Sequence, residues 1–199
     1  MSYRIRPYGP EDFDAVYRVC LETGDAGQDA TKIFEDPLLL GHIYTGPYVI
    51  YQPDLAFVLE DDEGVCGYTL GALDSEAFYR RMNDEWLAKL REEYEDPAGA
   101  RSSWTPDQQL QHIIHHPREP ELFPDYPAHL HIDIVERAQG KKMGGKLMEM
   151  LIQALRDKGS PGVHLGMAVT NDPAYGFYIN YGFHELNRDD DTIHMAMKL

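Results

Sequence analysis

Basic residues are scarce in this chain. It has 18 Lys and Arg against 34 Asp and Glu, a formal charge of −16 with its nine His counted neutral. Nucleic acid and anionic membranes are polyanions, and their binders usually carry a Lys/Arg field that displaces counterions, so neither is an expected partner. Cysteine is scarcer still: Cys20 and Cys66 are too few for a disulfide framework and read as reduced, buried thiols. Long apolar runs are also missing. None reaches transmembrane length, and the opening Met1 to Pro7 lacks the apolar stretch of a signal peptide. A soluble, cytoplasmic protein is the expectation. Aromatics are plentiful, with 13 Tyr, 7 Phe and 2 Trp in 199 residues that are 43% hydrophobic, enough for a real core despite the acidity.

The apolar spacing predicts the elements. Tyr3–Arg6 alternates as a short strand, and Pro10-Glu11-Asp12 opens a helix with Ala15, Val16, Val19 and Cys20 on one face. Residues 33–50 read as a short irregular helix followed by a turn at Gly46-Pro47. Leu55–Leu59 and Val65–Leu70 flank a turn and form a hairpin. From Asp74 to Pro127 the texture changes. Phe78, Met82, Trp86 and Leu90 mark an amphipathic helix, a shorter helix covers Gln108–His115, and Pro-containing segments surround it. This stretch reads as a helical insertion in one domain spanning residues 1–199. The last third alternates: strand His129–Val135, a helix ending near Gly159, strand Gly162–Val169, helix Ala174–Tyr181 and a closing hairpin. Its strand–helix–strand order implies a parallel pair with a crossover.

Gln139-Gly140-Lys141-Lys142-Met143-Gly144-Gly145-Lys146 joins the first of those strands to the long helix. A helix start offers unpaired amides and the positive end of a dipole, glycines let a ligand approach the backbone, and three lysines break the acidic field. The turn suits a phosphate. It also suits an ordinary connection with solvated lysines, and it fits neither the nucleotide P-loop nor the dinucleotide pattern. His112, His115 and His116 could place two imidazoles on one helical face, but the spacing puts no Cys or acid beside them, so no metal is expected. Tyr79, Trp86 and Trp104 could line a pocket or simply pack.

A second segment gives the turn its meaning. Asn171, Ala174, Phe177-Tyr178 and Gly182-Phe183 follow in an order that, with Gln139, Lys142 and Gly144, resembles the GNAT superfamily of acyl-CoA-dependent N-acetyltransferases. Lys142 stands where the family's first motif glycine falls. Arg4–Tyr8, Phe57–Asp61 and Gly64–Tyr68 further resemble the acetyltransferase-like domains that end animal O-GlcNAcases and their free-standing bacterial relatives. The resemblance implies an α/β (α+β) GNAT fold: a mostly antiparallel sheet with one splayed parallel pair and flanking helices.

It also implies acetyl-CoA as co-substrate. Ile132, Ile134 and Val135 would pair with its pantetheine, while Gln139, Gly140, Lys141, Lys142, Met143, Gly144, Gly145 and Lys146 would surround the diphosphate. Asn171, Phe177 and Tyr178 would border the arm. The implied reaction is direct attack of a primary amine on the thioester, with Tyr178 as the acid that returns a proton to the thiolate. Tyr178 could instead be a core ring beside Phe177 and Phe183. For the base, alternation puts His129, His131 and Asp133 on one strand face. His131 has an ordinary pKa near 6.5, suited to the task without special burial, and Asp133 is the alternative. Both could equally line a wet groove. The acceptor is an amine, cationic if surface charge steers it; the chain could be a monomer or a dimer. A different class of reading is a non-catalytic acetyltransferase-like module that binds a protein or peptide.

Overall fold

The hairpin expected from Leu55–Leu59 and Val65–Leu70 forms, and both strands outrun their apolar stretches. β2 is Ala56–Asp61 and β3 is Gly64–Ala72, paired antiparallel in a computed structural model that describes residues 2–199. β1 (Arg4–Pro7) adds to β2 and β4 (Ala128–Ile134) to β3. β5 (Gly162–Ala168) runs parallel to β4, and β6 (His184–Arg188) and β7 (Thr192–Lys198) close the far side. The order is β1-β2-β3-β4-β5-β7-β6, so a single parallel pair interrupts an antiparallel seven-stranded sheet.

That pair is short. Only Ala128↔Val163 and His129↔His164 are in register. Beyond them β4 stays with β3 as far as Ile134 and β5 stays with β7 as far as Ala168. The two strands splay, and the β4 edge over residues 131–134 has no strand partner on its β5 side among the described residues.

α1 (Phe13–Glu22) packs on one face of the sheet and the longer α7 (Met143–Asp157) on the other. The expected stripe of α7 is the buried one: Leu147, Met148, Leu151, Ile152 and Leu155. Gly71 lets it sit close, because a Cβ there would lie 2.8 Å from Leu151 Cδ1. The thiols read as buried are buried, and desolvation pushes Cys20 up to about 12 and Cys66 up to about 11, which keeps both inert at neutral pH.

Residues 33–50 differ from the sequence reading. Gly46-Pro47 does not end a helix; it begins one. α2 (Leu39–Tyr44) and α3 (Gly46–Tyr51) meet at Thr45, with Pro47 in the first turn of α3, where its missing N–H costs nothing. The glycine is there for space, since a Cβ on it would fall 2.6 Å from Trp86 Cζ2.

Residues 74–127 lie between β3 and β4, which are neighbours in the sheet. Asp74 caps α4 (Ser75–Arg81) by accepting from Ala77 N at 2.9 Å, and the helix passes through a π turn (Met82–Leu87) into α5 (Ala88–Glu93). The π turn has a sequence reason. Apolar residues at strict four-residue steps drift about 40° per step on an α-helix turning 100° per residue, and a wider turn takes that drift back. Phe78, Met82 and Leu90 stay buried, Leu87 joins them, and half-buried Trp86 donates its indole N–H to His42 O at 2.8 Å. α6 (Pro106–His115) starts in a Thr105/Gln108 capping box. Arg91 ties it to the helix before it, donating to Ile114 O at 2.9 Å and to Asn83 Oδ1 at 2.7 Å. The last helix, α8, is Asp172–Tyr181. No helix among the described residues is long and apolar enough to cross a membrane.

Candidate functional site

β4 leads into the lysine-rich turn. Val135 donates its N–H to Cys66 O, Glu136–Ala138 make one short helical turn, and Gln139 reaches back with Nε2 to Ile134 O at 2.8 Å. Gly140 and Lys142 both have left-handed backbones, at φ 70° and 61°. The motif position that resembles a family glycine is therefore a position that asks for one, and Lys142 occupies it at a steric cost of about 1–2 kcal/mol. Lys142 is also the N-cap of α7 and supplies no side-chain acceptor. Asp74, Thr105 and Asn171 cap α4, α6 and α8 through their side chains, whereas the first amides of α7, at Met143, Gly144 and Gly145, are left open. Lys141, Lys142 and Lys146 are exposed around them, with no acidic partner among the described residues. Open amides at a helix start, beside free lysines and next to an unpaired strand edge, fit a phosphate-bearing ligand with an amide-containing arm. Ile132 and Ile134 are half-buried on that edge and Val135 is buried at its end.

α8 closes the far side of the turn. A Cβ on Gly144 would meet Phe177 Cε2 at 3.3 Å, so the phenyl ring borders the start of α7. Asn171 turns its Oδ1 to Ala174 N at 3.1 Å and is thus a helix cap in the structure. Tyr178 is buried between Phe177 and Phe183, with ring centroids 5.3 and 5.6 Å away, so it does pack. Its hydroxyl nevertheless forms no hydrogen bond among the described residues. Burial, reinforced by the nearby Asp133 charge, raises its pKa and keeps it protonated. Asp133 stands opposite Tyr68 in the β3–β4 register. Burial raises its pKa, opposed by the hydroxyls of Tyr68 and Thr23.

The other end of β4 meets a cleft of about 840 Å³. Its floor is His129, His131 and the splayed Leu165 and Gly166, and its walls are Tyr44 and Tyr48, the insertion with Tyr79, and the segment from Pro117 to Leu122. Of the aromatics singled out from the sequence, Tyr79 lines the cleft, Trp86 packs against α2, and Trp104 lies on His112 at 4.7 Å. Unlike the chain as a whole, the cleft balances its charge: Glu76, Glu119 and Glu121 face Arg80, Arg101 and Arg118.

Counting protons fixes the imidazoles on the floor. Ser75 gives its only hydroxyl proton to Pro127 O at 2.7 Å, so the 2.7 Å contact with His129 Nδ1 must be donated by the ring. Burial holds His129 neutral, its pKa well below the usual value, so its Nε2 accepts from Tyr48 Oη at 2.8 Å. Tyr48 then has no proton left, and His131 donates from Nε2 to Tyr48 Oη at 3.0 Å. Burial lowers His131 to about 4. It is a neutral ring with its lone pair on Nδ1, which has no partner among the described residues. The sequence reading of His131 as a base of ordinary pKa is thereby corrected: desolvation weakens it as a proton acceptor, while the same effect strengthens Asp133. Tyr48 was missed, although the helical spacing of Tyr44, Tyr48 and Tyr51 marks an aromatic face.

The histidine cluster also differs from expectation. Asp96, unplaced by the sequence spacing, sits beside His112 and His116, while His115 turns away to Tyr94 O at 2.8 Å.

With this geometry in view, the chain can be compared with known proteins. It is 29% identical over 187 residues to the protein O-GlcNAcase of Rattus norvegicus, a match covering 92% of this chain and 20% of that one; the mouse protein matches equally. The chain thus spans about one fifth of the length of these curated relatives. The solved structure of SsHAT is 36% identical and superposes with a TM-score of 0.90, covering 100% of this chain and 98% of the other. The N-acetyltransferase PaiA of Thermoplasma acidophilum, solved with coenzyme A, shares the fold at 14% identity and a TM-score of 0.61, over the full length of both chains. Residues 28–183 match the model of the Acetyltransferase (GNAT) family, and the splayed β4–β5 pair, the open start of α7 and the α8 motif belong together because this chain is a member of that family.

Proposed function

We propose that the chain transfers the acetyl group of acetyl-CoA to a primary amine held in the cleft. One observation carries this reading: the unpaired edge of β4 runs between an uncapped, lysine-flanked helix start and the cleft. The amides of Met143, Gly144 and Gly145 would hold the diphosphate, and residues 132–135 would pair with the pantetheine amides. The thioester would then lie near Asp133, with the amine arriving past His131. Such positioning is a large part of what a direct-transfer enzyme supplies. The amine nitrogen bonds to the acetyl carbon as the carbon–sulfur bond breaks. Asp133 takes the proton from nitrogen, and Tyr178 gives its hydroxyl proton to the departing thiolate, each being held in the right form by burial. His131, neutral and fixed in one tautomer, presents Nδ1 as a hydrogen-bond acceptor that orients the amine.

The test is ligand-dependent stability followed by turnover. At about 100 times its dissociation constant, acetyl-CoA adds about 2.7 kcal/mol of stability, read by thermal melting. CoA release is then followed over a panel of amines and peptides. The absence of any shift at millimolar acetyl-CoA sinks the reading. Binding without transfer to any acceptor would make the chain a non-catalytic module.

A further inference from the structure

At the outer end of the insertion, away from the acetyl-transfer machinery, three groups from two segments converge. His112 and His116 lie one helical turn apart at the end of α6, with ring centroids 4.4 Å apart. Asp96 comes from the chain that follows α5. Its Oδ2 is 2.7 Å from His116 Nε2 and its Oδ1 is 3.6 Å from His112 Nδ1. All three donor atoms lie within 4.8 Å of one another. Around a tetrahedral ion with bonds of 2.0–2.1 Å, neighbouring donors sit about 3.3–3.4 Å apart, so the two measured separations bracket the required edge.

We propose that Asp96, His112 and His116 form a three-ligand site for a divalent first-row transition ion, zinc foremost. Two imidazoles and a carboxylate are a donor set that zinc favours, and water completes the fourth position. An Asp96–His116 ion pair alone explains half of the arrangement. It leaves His112 Nδ1 buried without a hydrogen-bond partner, and an ion at the centre of the three supplies one. The surroundings hold the ligands in place. The Trp104 ring lies on His112, and the indole N–H donates to Ala98 O at 3.1 Å. His115 fixes Tyr94 O, two residues before Asp96. The ion would join the chain after α5 to the end of α6, whose Ile113 forms part of the cleft wall. The histidines under the cleft are a poor competitor, because Tyr48 and Ser75 already occupy three of the four ring nitrogens of His129 and His131.

The full chain, stripped with a chelator, is titrated with zinc chloride by calorimetry and thermal melting. The expected result is one equivalent per chain and, at about 100 times the dissociation constant, a rise in Tm of about 5–10 °C. Asp96→Asn, which keeps the size of the side chain, and His116→Ala, on an exposed ring, are each expected to weaken binding by at least about 10–100-fold. His131→Gln leaves it unchanged. Failure of zinc to bind saturably, or binding that survives both Asp96→Asn and His116→Ala, overturns the proposal. Because the readout is metal affinity, the result is independent of whether acetyl-CoA binds.

Discussion

The two ends of β4 solve opposite problems. At the Ile134 end, backbone is left open: an edge without a strand, a helix without a cap, and lysines without acids. At the Ala128 end, side chains are tied up in a chain of hydrogen bonds from Pro127 through Ser75, His129 and Tyr48 to His131. One end is ready for a ligand that brings its own amides and phosphates. The other is set in advance, so that a single lone pair is presented without rearrangement. Binding groups can be left unsatisfied only where solvent reaches them, and buried polar groups must be paired.

The largest expected effect lies between the two ends. Tyr178→Phe removes a hydroxyl that holds nothing in the fold, so kcat should drop by about 10²–10⁴ while melting temperature and acetyl-CoA affinity stay put, as measured by steady-state CoA release and calorimetry. An equal loss of stability would place Tyr178 with the packing aromatics instead.

Next comes acid. His131 is held neutral when folded, so the unfolded chain binds the extra proton first. The stability this group contributes is intact above its unfolded value near 6.5 and is lost as pH falls toward the folded value of about 4, a change of about 3 kcal/mol. His129 adds to the same loss, since it too is lowered. Urea melts at pH 7, 5.5 and 4.5 should show the decline, and His131→Gln should flatten part of it.

Tyr48→Phe breaks the prearranged end directly. It strands the acceptor on His129 and the donor on His131, at a cost of about 1–3 kcal/mol by urea melts, and frees His131 to change tautomer. The smallest effect belongs to the open end. Lys142→Gly relieves a left-handed side chain and should raise stability by up to about 1 kcal/mol, or about 2–4 °C in Tm. Lys142→Ala keeps the Cβ and should not.

The contrast also explains what the sequence disclosed. The open end was legible because its chemistry belongs to backbone atoms, and such sites need only glycine, a helix start and fixed spacing: Gln139 to Gly144 and Asn171 to Phe183. The tied end was legible only in part. Alternation put His129, His131 and Asp133 on one face, but the desolvation that sets their proton affinities comes from residues distant in the chain, Tyr48 from α3 and Tyr79 from the insertion. Asp96 escaped for a similar reason, lying 16 residues before His112 across an irregular segment. Gly46-Pro47 misled because the pair that usually breaks a helix can also begin one.

The π turn at Met82–Leu87 has a consequence for how the insertion could change. Such a turn holds one residue more than an α turn, so losing that residue would restore an ordinary helix and swing everything after it by about 100°. Arg91, which clasps Asn83 and Ile114, would face the wrong way, and Met82 and Leu87 would leave the cleft wall together. The segment behaves as a keyed shaft: its composition can vary, but its length cannot change by one.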